Sequence, residues 1–464
     1  MHPTAVINVV GLTPAMLGER TPNISRLAAS GGQHALRTVT PAVTCSVQST
    51  FLTGLTPSGH GIVANGWYFR DLAQVWLWRQ SNHLVGGEKV WEAARRRDPG
   101  FRCAKMFWWY NMYSGADYSV TPRPAYPADG RKIFDVYSEP MELGPRIKAE
   151  IGAFPFFSFW GPKAGLPSSQ WIADASALVF DWETPHLTLI YLPHLDYNLQ
   201  RLGPDDPALD QDIRDVDRIC GQLIDRFQAK GARVIVLSEY GITPVDGVVH
   251  INRVLREAGL IEVRPELGLE MLDAGACTAF AVSDHQVAHV YIRDPQRVAE
   301  VKALLEAVPG IEAVLDGDGK REAGLDHPRA GELVAISAPD KWFSYYYWLD
   351  DALAPDFART VDIHRKPGFD PVELFIDPKI VFPALKVGGK LLRKMLGFRY
   401  LMDVIPLDPS LVKGSHGRIT GDPAHGPLFI TSEKNLVRTE STEGTGSVAA
   451  TEVKQLMLDH LFED

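Results

Sequence analysis

Three short runs of apolar, mostly β-branched residues divide the first half of the chain, and each stops at a polar or glycine-containing turn. They are AVINVVGL (5–12), LTLIYLP (187–193) and RVIVLSEYG (233–241). Apolar runs of this length are typical of parallel strands that are buried on both faces. Between them lie helix-like stretches such as IRDVDRICGQLIDRFQAKG, which closes on a glycine. The sequence therefore predicts an α/β fold with a mostly parallel central sheet and helices on both faces.

The residues at the ends of these runs are the first place to look for chemistry. Val10 and Gly11 end the first run, Asp196 follows the second, and Glu239 and Tyr240 end the third. In α/β folds the active groups gather at the carboxyl ends of the strands. We therefore expect these three positions to lie along one edge of the sheet.

A second, smaller α/β unit is predicted in the later part of the chain. HVYIRDPQRVAEVKALLEAVPGIEAVLD reads as strand, helix and strand, and GELVAIS reads as one more strand. The predicted division is a core over 1–279, an insertion or cap over 280–340, and a core completion over 341–464. The last part carries a polar connector at 438–447 and a terminal helix. Aromatic clusters, such as FPFFSFWG, either belong to the core or wall a substrate cleft.

Charge and composition exclude several classes of partner. Forty-seven basic and 57 acidic residues leave a net charge of −10, which repels a nucleic-acid polymer. The first apolar run lacks a basic leader and a cleavage site, and no later run reaches membrane-spanning length. These features predict a cytoplasmic protein without a transmembrane segment. The four cysteines form no CxxC pair, so reduced thiols are expected, and the oligomeric state stays open.

The stretch PAVTCSVQSTFLTGLTPSGHGIVANGWY (41–68) holds the candidate nucleophile. CSVQSTFLTG has helical periodicity and ends at Gly54, which places Thr44 near the start of a helix. A side chain at that place lies among unpaired N–H groups at the positive end of the helix dipole. Thr44 is therefore either a helix N-cap or a hydroxyl whose ionised form this field stabilises.

The same stretch carries a family resemblance. The motif TGLTPSGHGIVAN begins nine residues after Thr44. With the first strand, it resembles the nucleotide pyrophosphatase/phosphodiesterase branch of the alkaline phosphatase superfamily. The resemblance implies an alkaline phosphatase-like sandwich, Thr44 as nucleophile, and Asn65 as a donor to a phosphoryl oxygen. His60 falls in a turn of the family motif, and we interpret it as a loop-stabilising imidazole.

The resemblance also implies two divalent ions, usually zinc, that clamp the attacking and leaving oxygens. At three of the expected ligand positions this chain has Val10, Gln200 and Tyr240, which are poor zinc ligands. The ligands that survive are Asp196, Glu239 and His416. Three ligands suit one zinc ion with an open position, and an oxygen-rich set would equally suit Mn or Mg. One or two ions are therefore possible from the sequence.

A replacement ligand is expected outside the family motif. TVDIHRKPGFD places His364 two residues after Asp362 and beside Arg365 and Lys366, whose charges could meet an anion. We therefore take His364 as the fourth candidate metal ligand. The Asp–His pairs in VSDHQVAH (282–289) and GLDHPRAGEL are the alternatives.

One segment is strongly basic within this acidic chain. KIVFPALKVGGKLLRKMLGFRY (379–400) has six basic residues and no acidic one. It is either an amphipathic helix on an anionic membrane surface or a helix whose apolar face packs on the core. Pro383 and the pair Gly388–Gly389 interrupt the pattern and favour the core-packed alternative.

These features predict a metal-dependent hydrolase of phosphate esters that resembles a phosphodiesterase or pyrophosphatase. Its substrate would be a small phosphorylated molecule, and Thr44 would attack the phosphorus. The lost ligands favour two alternatives. One is a non-catalytic or weakly active relative that binds a phosphorylated metabolite, and the other is a phosphotransferase of the same superfamily.

Overall fold

The computed structural model describes residues 1–437 and 446–464, so most of the predicted connector lies outside the described residues. The strands are β1 (Thr4–Val9), β2 (Gly32–Arg37), β3 (Gly66–Phe69), β4 (Gln74–Leu77), β5 (Cys103–Met106), β6 (Tyr118–Pro122), β7 (Val136–Glu139), β8 (Leu187–Leu192), β9 (Arg233–Leu237), β10 (Thr243–Pro244), β11 (Gly247–Val249), β12 (Val263–Glu266), β13 (Leu269–Leu272), β14 (Ala279–Asp284), β15 (Val287–Ile292), β16 (Ile311–Leu315), β17 (Leu333–Ser337), β18 (Lys341–Phe343), β19 (Gly414–Ser415), β20 (Leu428–Thr431) and β21 (Val448–Ala449). The α-helices are α1 (Pro22–Ser30), α2 (Thr44–Thr53), α3 (Pro57–His60), α4 (Val90–Arg97), α5 (Leu143–Ile151), α6 (Leu166–Glu183), α7 (His194–Leu202), α8 (Leu209–Ala229), α9 (Ile251–Glu257), α10 (Val298–Glu306), α11 (Gly317–Glu322), α12 (Pro383–Met395) and α13 (Val453–Phe462).

The main sheet has nine described strands in the order β21-β2-β20-β9-β1-β8-β5-β6-β7. The five central strands, from β9 to β6, pair in parallel, whereas β7 and β20 pair antiparallel with their inner neighbours. Every residue of β1 and β8 is buried. Helices α6 and α8 pack on the sheet and on each other, while α13 packs on β1, α2 and α4. The predicted α/β fold with a mostly parallel central sheet is confirmed.

The carboxyl ends of β1, β8 and β9 lie side by side, as their sequence patterns predict. Val9 pairs with Leu192 of β8, and Asn8 pairs with Leu237 of β9. The chain leaves β1 through Gly11, whose backbone is left-handed with φ of 78°. A Cβ atom there would come within 2.8 Å of the Leu199 side chain, so both the turn and the packing require glycine.

A second, antiparallel sheet in the order β14-β15-β17-β16 occupies residues 279–337. Helix α10 packs on β16 and β17, so the predicted strand–helix–strand pattern is present. This sheet has a hydrophobic core of its own, to which the aromatic residues 345–348 contribute. The domain boundaries at 279 and 340 stay a prediction.

The basic segment forms helix α12, and it differs from the predicted core-packed helix. Pro383 is its first residue and the helix continues through Gly388–Gly389. Proline at this position costs no hydrogen bond, because the first N–H groups of a helix are unpaired in any case. No residue of α12 is fully buried. Val387 is partly buried against a small hydrophobic cluster, whereas Leu385, Leu392 and Met395 are each more than half exposed. None of the helices in the described ranges is long and apolar enough to cross a membrane.

Candidate active site

Thr44 is the first residue of α2, a helix in which all ten residues are buried. Val43 precedes the helix in an extended conformation, and no side chain caps the helix start. The helix ends at Gly54, which is left-handed with φ of 73°. The Thr44 hydroxyl instead lies 3.1 Å from the Tyr240 hydroxyl. Thr44 is therefore not an N-cap, and its hydroxyl faces the carboxyl ends of the strands.

A hydrogen-bonded chain joins Thr44 to a buried carboxylate. The Tyr240 hydroxyl donates to Asp196 Oδ1 at 3.3 Å, so the Thr44 hydroxyl donates to the Tyr240 oxygen. Asp196 lies in the first turn of α7, and Gln200 lies one turn later on the same face. The Gln200 side-chain amide donates to Asp196 Oδ2 at 2.7 Å. Two positions that the family resemblance assigns to imidazoles thus carry a phenol and an amide that both donate to Asp196.

Glu239, which follows β9, is held by two amides. Asn8 Nδ2 and Gln48 Nε2 each donate to Glu239 Oε1 at 2.6 Å. The Gln48 carbonyl oxygen accepts from the Trp109 backbone N–H at 2.8 Å, which fixes the orientation of its amide. Glu239 Oε2 is buried and has no hydrogen-bond partner among the described residues. One oxygen of the Glu239 carboxyl group therefore accepts two hydrogen bonds, and the other accepts none from the described residues.

Burial changes the protonation of these acids. It raises the pKa of Asp196 to about 7, although hydrogen bonds from Gln200 and Tyr240 lower it. It raises the pKa of Glu239 to about 8, against hydrogen bonds from Gln48 and Asn8 that lower it. Burial, together with the charges of Asp196 and Glu239, raises the pKa of Tyr240 well above its ordinary value. At neutral pH the Glu239 carboxyl is thus mostly protonated, and the Asp196 carboxyl is divided between its protonated and ionised forms.

Two histidines stack beside Tyr240. The His416 ring lies parallel to the Tyr240 ring, with 3.6 Å between centroids, and His285 packs on its other side at 3.7 Å. His416 Nδ1–H donates to the Ala42 carbonyl at 2.8 Å, which leaves Nε2 unprotonated and 3.9 Å from Asp196 Oδ1. Burial lowers the pKa of both histidines well below the ordinary value, so both are neutral.

His285 reaches the site from the tight turn between β14 and β15. Its backbone is left-handed with φ of 60°, a conformation that non-glycine residues seldom adopt. Its Nδ1–H donates to Asp284 Oδ1 at 2.7 Å. Asp284 also accepts from the Asn65 backbone N–H at 2.8 Å and from Asn65 Nδ2 at 3.1 Å. The second sheet thus contributes directly to the site.

Asn65 is fully engaged at its oxygen and partly engaged at its nitrogen. Its Oδ1 accepts from the Cys45 backbone N–H in α2 at 2.9 Å, and its Nδ2 donates to Asp284. Asn65 is buried. These contacts tie the start of α2 to the second sheet, and the predicted contact of Asn65 with a phosphoryl oxygen stays a prediction.

The remaining predicted residues lie at varying distances from this centre. His364 lines the same cavity as Thr44 but forms no hydrogen bond or ion pair with Asp196, Glu239 or His416 within the described ranges. Lys366 is not available to an anion, because it is buried between Asp370 and Glu373 at 2.7 Å from each. The Asp–His pair at 326–327 lies elsewhere, with His327 against the Gly61 turn.

The interpretation of His60 is confirmed, because its ring holds a loop together. Its Nδ1 accepts from the Ile62 backbone N–H at 3.1 Å, and its Nε2 lies 3.0 Å from the Thr50 hydroxyl. Burial lowers its pKa to about 3, so the ring is neutral. His60 stabilises the turn that follows α2.

The donor set does not fit the pair of divalent ions that the family resemblance implies. In the described part of the chain, no three His, Cys, Asp or Glu side chains are placed to hold a metal ion. Asp196 Oδ2 accepts from Gln200, and Glu239 Oε1 accepts from Asn8 and Gln48, so each carboxyl group has only one oxygen without an amide donor. The chain at this point is built to stabilise its carboxyl groups by hydrogen bonds.

A cavity of about 1800 Å³ opens onto Thr44. Asp196, Tyr240, His285 and His416 share its wall with Thr44. Elsewhere its wall is mostly aromatic and includes Trp78, Trp109, Phe159, Trp160 and Phe369. The aromatic clusters at 107–118 and 154–161 thus contribute to the cavity, whereas residues 345–348 lie in the core of the second sheet.

Sequence reasoning missed several partners in this site. In the sequence Tyr240 stands only as a missing metal-binding imidazole, and no local pattern indicates a role for its hydroxyl. Gln48 gives a usable local signal, because it lies one turn after Thr44 on a helix that is buried all round. Asn8 gives none, since only strand pairing brings it to Glu239. The Asp284–His285 pair, which the sequence offers as an alternative to His364, is brought to His416 by the β14–β15 turn.

Two solved structures share this fold. Phosphonoacetate hydrolase from Sinorhizobium meliloti, in complex with phosphonoacetate, matches with a TM-score of 0.63 and 16% identity, over 99% of this chain and 96% of that chain. Murine ectonucleotide pyrophosphatase/phosphodiesterase 5, in complex with AMP, matches with a TM-score of 0.57 and 15% identity, over 99% and 95%. The alkaline phosphatase-like fold is therefore confirmed.

Two curated relatives match parts of the sequence. An uncharacterized pyrophosphatase/phosphodiesterase of Schizosaccharomyces pombe is 27% identical over 214 residues, which cover 44% of this chain and 37% of the relative. Venom phosphodiesterase of Naja atra is 23% identical over 234 residues, 48% of this chain and 24% of the relative. The chain thus matches little more than a third of the length of the first relative and about a quarter of the second.

A family model matches most of the chain. The model for type I phosphodiesterase / nucleotide pyrophosphatase covers residues 4–370, which include Thr44, the ends of the three central strands and the β14–β15 turn. The resemblance carried by the TGLTPSGHGIVAN motif is confirmed. The chain belongs to the type I phosphodiesterase / nucleotide pyrophosphatase family.

Proposed function

We propose that this protein hydrolyses phosphoric esters with Thr44 as the nucleophile. One observation carries the proposal: the Thr44 hydroxyl opens onto the cavity and is linked through Tyr240 to Asp196. A hydroxyl is a weak nucleophile unless a base takes its proton. Asp196, with a pKa of about 7, is a base suited to neutral pH.

The reaction would proceed in two displacements. Thr44 Oγ forms a bond to phosphorus while the bond from phosphorus to the alcohol oxygen breaks. The Thr44 proton passes to the Tyr240 oxygen, and the Tyr240 proton passes to Asp196. The alcohol leaves with a proton from a water molecule, and the hydroxide so formed attacks the phosphorus of the phosphothreonine. The bond from phosphorus to Thr44 Oγ then breaks, and the proton on Asp196 returns through Tyr240 to Thr44 Oγ. A phosphodiester would thus release a phosphate monoester, and a monoester would release phosphate.

The start of α2 would stabilise the developing negative charge. The first N–H groups of a helix have no acceptor inside the helix and can point toward an anion. At the start of α2 the Cys45 N–H already donates to Asn65 Oδ1, so this role falls to its neighbours. The helix dipole adds a favourable field at the same point. Because Thr44 is buried, these interactions are stronger there than they would be at an exposed hydroxyl.

The cavity favours an ester whose alcohol part is large and apolar. Its aromatic residues, including Trp78, Trp109 and Trp160, present far more apolar than polar surface to a bound molecule. Arg79 and Lys132 lie on the same wall and could meet a second anionic group. The related structures hold AMP and phosphonoacetate, which supports a phosphorylated or phosphonate ligand for this chain.

A second candidate function is the binding of a phosphorylated metabolite without turnover. Glu239 favours it, because a carboxyl group with a pKa of about 8 carries little charge at neutral pH. The predicted zinc, manganese or magnesium does not fit the donor set, so no step above is assigned to a metal ion. A phosphotransferase would use the same phosphothreonine with an acceptor alcohol in place of water.

The substitution Thr44→Ala tests the nucleophile. We expect a folded protein without turnover of an aryl phosphodiester, and we expect Thr44→Ser to keep part of the activity, since it keeps a hydroxyl. Rapid quenching and peptide mass spectrometry should detect phosphothreonine at residue 44 in the wild type only. Turnover by Thr44→Ala at the wild-type rate would refute the proposal, and an inactive wild type that binds the ester would favour the binding function.

A further inference from the structure

Helix α12 and the residues beside it expose a continuous set of large apolar side chains. We call this set the α12 apolar face. Leu385 is 73% exposed and Met395 is 83% exposed. The α12 apolar face consists of Val381, Phe382, Leu385, Leu392, Met395, Leu396 and Phe398, each more than half exposed. Exposed apolar side chains are ordinary when single, but a cluster of this kind marks an interaction surface.

Helical spacing places the exposed residues on one side of α12. Leu385, Leu392 and Met395 recur at intervals of seven and three residues, which is the spacing of a single helix face. Val387 lies on another face and packs against a small cluster of buried residues. Leu391 lines the cavity that leads to Thr44. The helix thus rests on the protein by one side and turns its apolar face outward at the cavity wall.

Positive charge accompanies this face. The segment 379–400 has six basic residues and no acidic one, within a chain of net charge −10. Lys386 and Lys390 pair with Asp403. Lys379, Arg393 and Arg399 are exposed, and no carboxylate pairs with them in the described ranges. The surface is therefore complementary to a layer of negative charge.

We propose that the α12 apolar face docks on an anionic lipid bilayer. The apolar side chains would enter the boundary between headgroups and acyl chains, and the free cations would contact lipid phosphates. Aliphatic side chains beside long flexible cations suit the soft boundary of a bilayer better than a protein surface, which needs shaped pockets and matched hydrogen bonds.

The opening of the cavity supports this orientation. Tyr126 and Phe157 line the cavity, and both are more than 60% exposed. Leu391 of α12 lines the same cavity, so the helix that carries the α12 apolar face also forms part of the cavity wall. A bilayer on this face would therefore lie beside the cavity opening, and this holds whether or not the protein hydrolyses an ester.

Vesicle binding by the full-length protein tests the proposal. We expect co-sedimentation with vesicles of phosphatidylcholine and phosphatidylglycerol, weaker binding to phosphatidylcholine alone, and weaker binding at high salt. The triple variant Leu385→Asp, Leu392→Asp and Met395→Asp should bind the anionic vesicles at least about tenfold more weakly. The control Leu267→Asp, at a side chain that is 99% exposed on the β12–β13 hairpin, should bind like the wild type.

A second variant guards against local unfolding of α12. Arg393→Glu with Arg399→Glu leaves the apolar side chains in place and should weaken binding to anionic vesicles only. Absence of vesicle binding by the wild type, or equal binding by the triple variant, would overturn the proposal. So would a wild-type dimer in sedimentation velocity that the triple variant converts to a monomer, because a second copy would then cover this face. Hydrolysis of a soluble ester is measured separately, so a failure of the catalytic proposal is distinguishable.

Discussion

Tyr240 occupies a position to which the family resemblance assigns a metal-binding imidazole, and its hydroxyl bridges Thr44 and Asp196. Its ring is fixed by stacking on His416 at 3.6 Å. The pKa of the Tyr240 phenol is strongly raised. In the proposed route the phenol therefore gives its proton to Asp196 only as it takes the proton of Thr44. Tyr240 therefore replaces an expected metal ligand and at the same time links the Thr44 hydroxyl to Asp196, the proposed base.

The substitution Tyr240→Phe separates the hydroxyl from the stacked ring. If Tyr240 relays the proton, kcat should fall by about 10²–10⁴ while the fold is kept. In the wild type, kcat/KM should rise with pH through about 7, because Asp196 with that pKa must be ionised to accept the proton. The variant should lose that step in the pH profile. Tyr346→Phe, which removes another buried hydroxyl that has no partner in the described structure, should leave the profile unchanged.

Glu239→Gln should stabilise the protein at alkaline pH. The unfolded carboxyl ionises near its ordinary pKa of 4.5, whereas the folded one keeps its proton to about 8. The stability that this group contributes is therefore fully present below pH 4.5 and is lost as pH rises to about 8. Urea unfolding at several pH values should show the variant gaining about 2–4 kcal/mol over the wild type between about pH 5 and 8.

The isostere keeps the shape of the site, since its carbonyl oxygen can still accept from Asn8 and Gln48. Glu150→Gln, on the exposed side of α5, serves as a control and should show no such change with pH. A Glu239→Gln curve parallel to the wild-type curve would mean that the carboxyl group is ionised in the folded protein.

At the scale of the element, the turn that carries His364 is fixed by a buried ion cluster. Lys366 lies 2.7 Å from both Asp370 and Glu373, and all three are buried. Burial lowers the pKa of Lys366, but the two carboxylates outweigh it and the net pKa is raised. Glu373 also accepts from the Trp160 indole N–H at 2.5 Å, which ties the cluster to the cavity wall.

Lys366→Met should destabilise the protein by about 3–5 kcal/mol, because two buried carboxyl groups lose their cation. Chemical denaturation at neutral pH measures the loss. Lys148→Met is a matched control at a partly exposed pair with Asp135, and it should cost no more than about 1 kcal/mol. Equal effects of the two substitutions would show that the buried cluster does not hold this segment.

Two elements show how far local signals reach. Helix α2 was predicted at both ends, since Thr44 begins it and Gly54 stops it through a backbone conformation that suits glycine. For helix α12 the sequence favours packing on the core, because Pro383 and Gly388–Gly389 interrupt its amphipathic pattern. Proline at the first position of a helix is a start signal, and only the packing of the neighbouring segments leaves the apolar face exposed.

At the scale of the whole molecule, two sheets meet at the site. The main sheet supplies Asn8, Asp196 and Glu239 from the ends of its central strands, and the second sheet supplies Asp284 and His285 from one turn. Asn65, which bonds both α2 and Asp284, connects the two units. Catalysis by the proposed route depends on this contact being kept.

Treatment with EDTA tests whether a metal ion stabilises the folded protein. Because hydrogen bonds from amides occupy the carboxyl groups of Asp196 and Glu239, EDTA should change Tm by less than about 1 °C and should leave the rate of ester hydrolysis unchanged. Differential scanning fluorimetry and metal analysis of the purified protein measure this. A stoichiometric ion, or a large drop in Tm with EDTA, would show that the side chains rearrange around a metal.

The sequence by itself determined the three central strands, with Asp196 and Glu239 after the second and third, and the start of α2 at Thr44. These features depend on residues a few positions apart, and their periodicity and turn chemistry can be read directly. His364 was chosen in the same way, from the charges of its neighbours.

Only the tertiary structure decided which side chains surround Thr44 and which face of α12 is left uncovered. His285 lies 241 positions from Thr44 in the sequence, and the β14–β15 turn brings it to the cavity. Contacts between residues so far apart in sequence depend on the path of the whole chain, which a local sequence pattern does not predict.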